Sequence, residues 1–458
     1  MGNPLKGICC FVLACMAGIA NAQQHYSLQS LIDSSKHYLP LLKQKQALIQ
    51  ASDASITETR HSFLPSLKAS EQLNIASNNS LAGSLFTFGI TPSSSGGIRA
   101  DNTLQPATAN VAVLYSEYEL VNFGLNNAKL QTAKSYQELF KADLQKDEYS
   151  VQSNIAKLYL NILKQQYRLS ADQQNIQRYQ SIYSVIQSLT ASGLKPGADS
   201  SLALAELSKT RINYNQTFGK INELKEQLSF FTGIAAQQLA IDTTSGLFRK
   251  ISSGTNYTMD SLDNPLLSVY TSKKNLLTVN ENLIKKSFLP KIMLAGSVWA
   301  RGSSIQYNDQ FKSLSTGLGY QRFNYALGVA FTYNLLNGTY KKDKLTINRF
   351  QLQASEHELQ QQQLVLKNAT AIANNMLNVT QSNLLELPVQ LQSAEAVYNQ
   401  KMAQYKAGLI SLIDLTNASF VLYRSQTDYI ETIGDWYLAQ LDKATATGNL
   451  NQFIQTIQ

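Results

Sequence analysis

The 458-residue sequence is written twice. Arg60-His61-Ser62-Phe63-Leu64-Pro65-Ser66 is echoed 225 positions later by Lys285-Lys286-Ser287-Phe288-Leu289-Pro290-Lys291. Tyr118-Glu119-Leu120-Val121-Asn122-Phe123-Gly124 returns as Tyr333-Asn334-Leu335-Leu336-Asn337-Gly338. Ser192-Gly193-Leu194 through Asp199 returns as Ala407-Gly408-Leu409 through Asp414, now offset by 215. That offset persists at Leu207 and Leu422, Lys209 and Arg424, and Tyr214 and Tyr429. The ten-position change falls between the first two landmarks, where a loop differs in length. Ordered landmarks with preserved spacing mark an internal duplication, so each copy must be one supersecondary plan.

The plan is helix, strand, strand, helix. Helical segments at about Leu28–His61 and Leu262–Lys286 run into Phe-Leu-Pro, where proline ends a helix and makes its predecessor extended. Alternation follows: Leu67, Ala69, Leu73 and Ile75 oppose Ser66, Lys68, Ser70, Gln72 and Asn74, with Glu71 the exception. Val111, Val113 and Tyr115 open the partner strand. In the second copy Ile292, Leu294 and Val298 alternate, and Tyr325, Leu327, Val329, Phe331 and Tyr333 form an apolar face. Gly- and Ser-rich loops, Asn78–Gln105 and Gly302–Arg322, separate the strands of each pair.

A long helix follows each hairpin. No proline occurs from Asn126 to Thr190, and Ile155, Ile162, Leu169, Ile176 and Tyr183 recur every seven residues. Val151, Leu158, Tyr179 and Ile186 fill the alternate heptad position, which Gln165 and Asp172 interrupt. Such a repeat specifies coiled-coil packing, and roughly 65 residues at 1.5 Å each give a rod of about 100 Å. The chain turns at Ala191–Gly197 and returns to about Gly233; the second copy runs from about Lys341 to Lys406, turns at Ala407-Gly408, and returns to about Thr447. Pro388 is expected to kink the second rod. Gly193, Gly197 and Gly408 are expected at positive φ in the turns. The copies thus span 23–245 and 257–450, with β-hairpins at about 64–120 and 290–336, helical hairpins at about 124–233 and 338–447, and a C-terminal tail at 451–458.

Strands of about ten residues with long polar loops at one end fit transmembrane β-hairpins. Four strands close no barrel, and an open sheet edge is not tolerated in lipid. If these strands span a membrane, several chains must pool them, and three would give twelve. Trp299, Tyr115, Tyr118, Phe323 and Tyr325 are candidates for interfacial aromatic belts. The same strands also fit the soluble hairpins of a secreted or periplasmic coiled-coil scaffold or adhesin, and pattern alone leaves both readings open.

The duplicated plan, both Phe-Leu-Pro junctions, the Asn-Phe-Gly and Asn-Gly strand exits and the paired Gly-Leu…Asp turns resemble the TolC-like outer-membrane efflux family. The resemblance covers roughly Tyr26 to Leu450. It implies a mainly α fold with membrane β, a homotrimer whose 12-stranded β-barrel in the outer membrane continues into a long periplasmic α-helical barrel. Such a duct serves a tripartite efflux pump or a type I secretion system, joined by a periplasmic adaptor to an inner-membrane RND or ABC transporter.

The resemblance also assigns roles at the two turns. Asp414 corresponds to the family's pore-facing aspartate, while Asn417 replaces a second acidic position. Asp199 and Tyr405 match members of a latch that holds neighbouring helices closed, but Ile410 stands where the latch has an arginine, and Lys406 is the nearest basic alternative. Gly193, Leu194, Gly408 and Leu409 form the tips to which the adaptor docks. Three copies of Asp414 would make a like-charge ring that attracts cations and raises its own apparent pKa values. Read without the family, Asp414 is a turn or capping aspartate.

No motif points to an enzyme or a cofactor. His25, His37, His61 and His357 are scattered, Met259, Met293, Met376 and Met402 are dispersed, and no phosphate loop or nucleophile elbow occurs. A net charge of +8 has no dense basic cluster behind it, which argues against nucleic acid. Lys6, the apolar Ile8–Ala20 and Ala20-Asn21-Ala22 read as a signal peptide over 1–22. All three cysteines (Cys9, Cys10, Cys15) lie inside it, and Val12-Leu13-Ala14-Cys15 faintly resembles a lipoprotein box. Cleavage after Ala22 leaves a mature chain without thiols, destined for the outer membrane and the periplasm.

Overall fold

The computed structural model describes residues 25–79, 99–241 and 264–457. The segment expected as a signal peptide, with its cysteines, most of the first long loop and the link between the copies lie outside these described residues. In chain order the elements are β1 (His25–Tyr26), α1 (Leu28–Tyr38), α2 (Pro40–His61), β2 (Ser66–Ala76), β3 (Ala107–Val121), α3 (Leu125–Ala191), α4 (Gly197–Thr232) and β4 (Ala240–Ile241). The second copy supplies α5 (Pro265–Ser287), β5 (Lys291–Ser303), β6 (Arg322–Thr332), α6 (Gly338–Lys406), α7 (Leu412–Thr447) and α8 (Leu450–Thr456). Two compact units divide the chain. One comprises Met1–Gln50, Glu138–Lys273 and Ala354–Gln458, the other Ala51–Gln137 and Lys274–Gln353.

The first helical segment is not continuous. Leu39 is extended (φ −66°, ψ 118°), and Pro40 opens α2. The pre-proline restriction that ends a helix at Phe-Leu-Pro acts here too, one repeat of the rule earlier than expected.

The second unit holds a four-stranded antiparallel sheet in the order β2-β3-β5-β6. Each strand alternates sides, so the register sorts every residue onto one of two faces. Leu67, Leu73 and Ile75 share a face with Leu114, Tyr118, Leu294 and Val298 and with Phe323, Tyr325, Leu327, Val329 and Phe331. That face is apolar and largely exposed: Phe323, Tyr325, Leu327, Val329 and Phe331 each keep two thirds or more of their surface. The other face carries Ser66, Lys68, Ser70, Gln72, Glu117, Ser297, Arg301, Arg322 and Asn324.

The register corrects two expectations. Val111, Val113 and Tyr115 pair with Gln72, Ser70 and Lys68, so they lie on the polar face and not with the apolar set of β2. Trp299, opposite Asn324 and Val113, joins them there. Of the five candidate belt residues, only Tyr118, Phe323 and Tyr325 stand on the apolar face. β3 also begins at Ala107, four residues before the expected opening. The loop between β5 and β6 is ordered, with a 3₁₀ turn at Leu314–Leu318 whose carbonyls accept from Thr108 Oγ1 and Asn110 Nδ2. Tyr320 of that loop donates to Glu71 at 2.7 Å, which satisfies the one carboxylate on the apolar face.

The first unit is helical. Its core joins both copies: Ile155, Leu160, Ile162 and Leu163 of α3 pack with Leu228 of α4 and Ile433, Trp436 and Leu441 of α7. Ile155, Ile162 and Ile186 are fully buried, as the heptad pattern requires. Asp172, which breaks that pattern, is also buried, and Tyr423 donates to it at 2.6 Å. Burial and the Asp172 hydrogen bond together push the Tyr423 hydroxyl up to about 12. Lys157, Lys164 and Arg168 of α3 form ion pairs with Asp442, Asp435 and Glu431 of α7. Seven and then four residues up one helix match seven and four down the other. Gly434 leaves the space through which the Lys164 stem passes. Of the tail expected at 451–458, residues 451–456 belong to α8, which buries Phe453 and Ile454 in the same core. α6 runs unbroken through Pro388. No helix among the described residues is long and apolar enough to cross a membrane.

Candidate functional site: the hairpin tips

Both long helices end the same way. After α3, Gly193 N–H donates to Thr190 O and Leu194 N–H to Leu189 O; after α6, Gly408 N–H donates to Tyr405 O and Leu409 N–H to Gln404 O. This is a Schellman cap, and it needs a left-handed residue. Gly193 and Gly408 supply it, with φ 71° and 76°. Gly197 does not share that role. It is the first residue of α4, preceded by Pro196 as N-cap, and it has no positive φ. Leu194 and Leu409, next to the glycines, leave about three quarters of their surface exposed.

The second tip closes with a capping box. Ser411 Oγ accepts from Asp414 N–H, and the Asp414 carboxylate accepts from Ser411 N–H at 3.1 Å and from its hydroxyl at 2.6 Å. These bonds hold the carboxyl below the usual value, the hydroxyl contributing most. The direction within one chain is therefore opposite to that expected from a ring of like charges. Asp414 is the third residue of α7 and is exposed. Asn417, one turn further, is exposed as well.

The first tip lacks such a box, because Pro196 has neither hydroxyl nor N–H to offer. Asp199 keeps the equivalent place in α4, and its N–H donates to Pro196 O. Its charge is one of two influences felt by Tyr405. That tyrosine is 1% exposed and its hydroxyl has no hydrogen-bond partner among the described residues. Burial, and secondarily the Asp199 charge, push the Tyr405 hydroxyl up. Lys195 Nζ lies 5.5 Å from the centre of the Tyr405 ring, in cation–π range.

Tyr405 is thus approached by Lys195 and influenced by the Asp199 charge, while Asp414 is bonded to Ser411. Lys195 was missed in the sequence, although the 215 offset sets it opposite Ile410, where the cation is absent. Lys406, the basic alternative, is exposed and forms no ion pair among the described residues. Ile410 packs against an apolar cluster of Tyr179, Ile182, Ile186, Leu207, Tyr405, Leu412 and Leu415. Ser411 was legible too, since Ser-x-x-Asp ahead of an apolar run is a helix-start signature.

The sequence profile of the outer membrane efflux protein family matches residues 31–233 and 280–449. The chain belongs to that family, and it has the fold of TolC-like channels. Among solved structures, the outer membrane protein VceC of Vibrio cholerae is similar over 92% of this chain and 96% of its own, at 14% identity and a TM-score of 0.69. The CmeC outer membrane channel of Campylobacter jejuni is similar over 92% and 86%, at 16% identity and 0.70. The open state of the MtrE outer membrane channel of Neisseria gonorrhoeae is similar over 92% and 89%, at 17% identity and 0.67. None of the curated proteins compared matches the chain.

Proposed function

We propose that three copies of this chain form a passive exit duct through the outer membrane, a twelve-stranded barrel continuing into a helical tunnel. The observation that carries this reading is the sheet. β2 and β6 are the edge strands, each unpaired on its outer side among the described residues, and one face is mainly apolar while the other carries most of the polar side chains. An open edge is untenable in lipid, and β6 of one copy running antiparallel to β2 of the next removes it. Strands of 11 to 15 residues are long enough to cross the apolar band when tilted. The apolar face then meets lipid and the polar face lines the lumen.

In this reading the duct does no chemistry. A periplasmic adaptor docks on the exposed tips at Gly193, Leu194, Gly408 and Leu409, and an inner-membrane RND or ABC transporter supplies the energy. Asp414 lines the periplasmic aperture, joined by Asn417 in place of a second carboxylate. Asp199 and Tyr405 hold the closed state, and Lys195 supplies the cation that Ile410 does not. Negative-stain electron microscopy of detergent-extracted protein tests the assembly: a three-fold tapered particle supports it. Release by osmotic shock without detergent would overturn it in favour of a soluble coiled-coil scaffold. In planar bilayers, Asp414→Asn is expected to lower cation selectivity and cation block, and an unchanged reversal potential would leave Asp414 a capping residue only.

A further inference from the structure

The polar face of the sheet is unevenly charged. At the strand ends remote from the helices, Arg301 of β5 and Arg322 of β6 are directly opposite one another in the register. Both are exposed, and neither forms an ion pair among the described residues. Like charges directly opposite on one face destabilise a strand pair, so this rung is unfavourable unless an anion joins it. No carboxylate among the described residues does. Glu71 is one residue out of step with this rung and hence on the other face, where Tyr320 donates to it. Asp309 of the neighbouring loop is paired with Arg99 at 2.7 Å. At the opposite end of the sheet the same face is neutralised, with Lys291 on Glu119 at 2.7 Å.

The next rung on this face is Trp299 opposite Asn324. An indole N–H and an amide NH₂ add donors to the two guanidinium groups, and no acceptor-only side chain intervenes. Guanidinium suits phosphate and carboxylate groups because its planar fork presents paired donors. We propose that Arg301 and Arg322, with Trp299 and Asn324, form an anion site for multivalent phosphate- or carboxylate-bearing solutes at the outer mouth of the lumen. The proposal rests on the trimeric-channel reading, which brings three such rungs, six guanidinium groups, around one opening. A narrow lumen with low-dielectric walls concentrates their field and slows the passage of multiply charged anions.

Inorganic tripolyphosphate added to one side of a bilayer holding the full-length channel tests this. Block is expected from one chamber only, and R301Q/R322Q should weaken it by about tenfold or more and shift the reversal potential in a KCl gradient towards cation selectivity. The single variants R301Q and R322Q, each with a smaller loss, carry the test if the double variant does not insert. Conducting variants with unchanged block and reversal potential would overturn the anion site and leave the channel reading standing. Protein that never conducts would sink both.

Discussion

The tips at Gly193 and Gly408 leave their long helices through the same cap, with the same pair of hydrogen bonds and nearly the same φ. They re-enter differently. Ser411 and Asp414 bind each other, so the second tip is finished within itself. Pro196 binds nothing through its side chain, and the Asp199 charge adds to the effect of burial on Tyr405 of the other repeat, which Lys195 approaches. Duplication kept the turn that geometry demands and released the residues that follow it. One copy turned its aspartate inward to the cap, and the other has no capping side chain for its aspartate to bind.

The shared part of the comparison predicts the largest effect. Gly193→Val and Gly408→Val should each destabilise the tip by about 2 kcal/mol, because a β-branched residue is strained in the left-handed region. No heavy atom lies within 4 Å of a Cβ built at either glycine, so φ alone sets the penalty and the two losses should be equal. Hydrogen exchange of the two tip peptides measures them, and a twofold disparity would break the equivalence.

The divergent part predicts smaller, asymmetric effects. Ser411→Ala should cost about 1 kcal/mol of local helix stability, whereas Pro196→Ser, which restores Ser-x-x-Asp, should protect the start of α4. Exchange protection that does not rise in P196S would mean Asp199 is unavailable for capping. Acid should separate the tips as well. The folded Asp414 value lies below its ordinary 3.8, so its contribution is complete above that pH and disappears as pH falls through the folded value. Protection of the first turn of α7 should therefore hold at pH 5 and decline below about pH 4. The smallest effect concerns Tyr405: Asp199→Asn should lower the pKa of its hydroxyl, and so ease its ionisation, only modestly, since burial is the larger cause. Ultraviolet titration reads this directly, and a full return to free-tyrosine behaviour would show that the ranking is inverted.

Much of this fold was legible. The rods expected at Asn126–Thr190 and Lys341–Lys406 are realised as α3 and α6, extending one and three residues further at their starts, because heptads and glycine caps are local signals. The break before Pro40 was equally local and was overlooked, as was the helical C-terminus that buries Phe453. What the sequence withheld was register. Alternation shows that Val111, Val113 and Tyr115 share a face, but only pairing with Gln72, Ser70 and Lys68 shows which one. The surroundings of Asp172 and Tyr405 were illegible for a related reason. Tyr423 lies 251 residues from Asp172, and Lys195 reaches Tyr405 from the other repeat, distances over which a pattern in one segment carries no information about the other.

The ion-pair ladder between α3 and α7 has a consequence for synthesis. Its cations all belong to the first repeat and its anions all to the second. Two first repeats brought together would therefore repel, and the early half of a growing chain has no correct mate among the early halves of its neighbours. Lys164 emerges 271 residues before Asp435, and through that interval the apolar seam of α3 is without its final cover. The mismatch of sign protects the early half from its own siblings until the second half arrives.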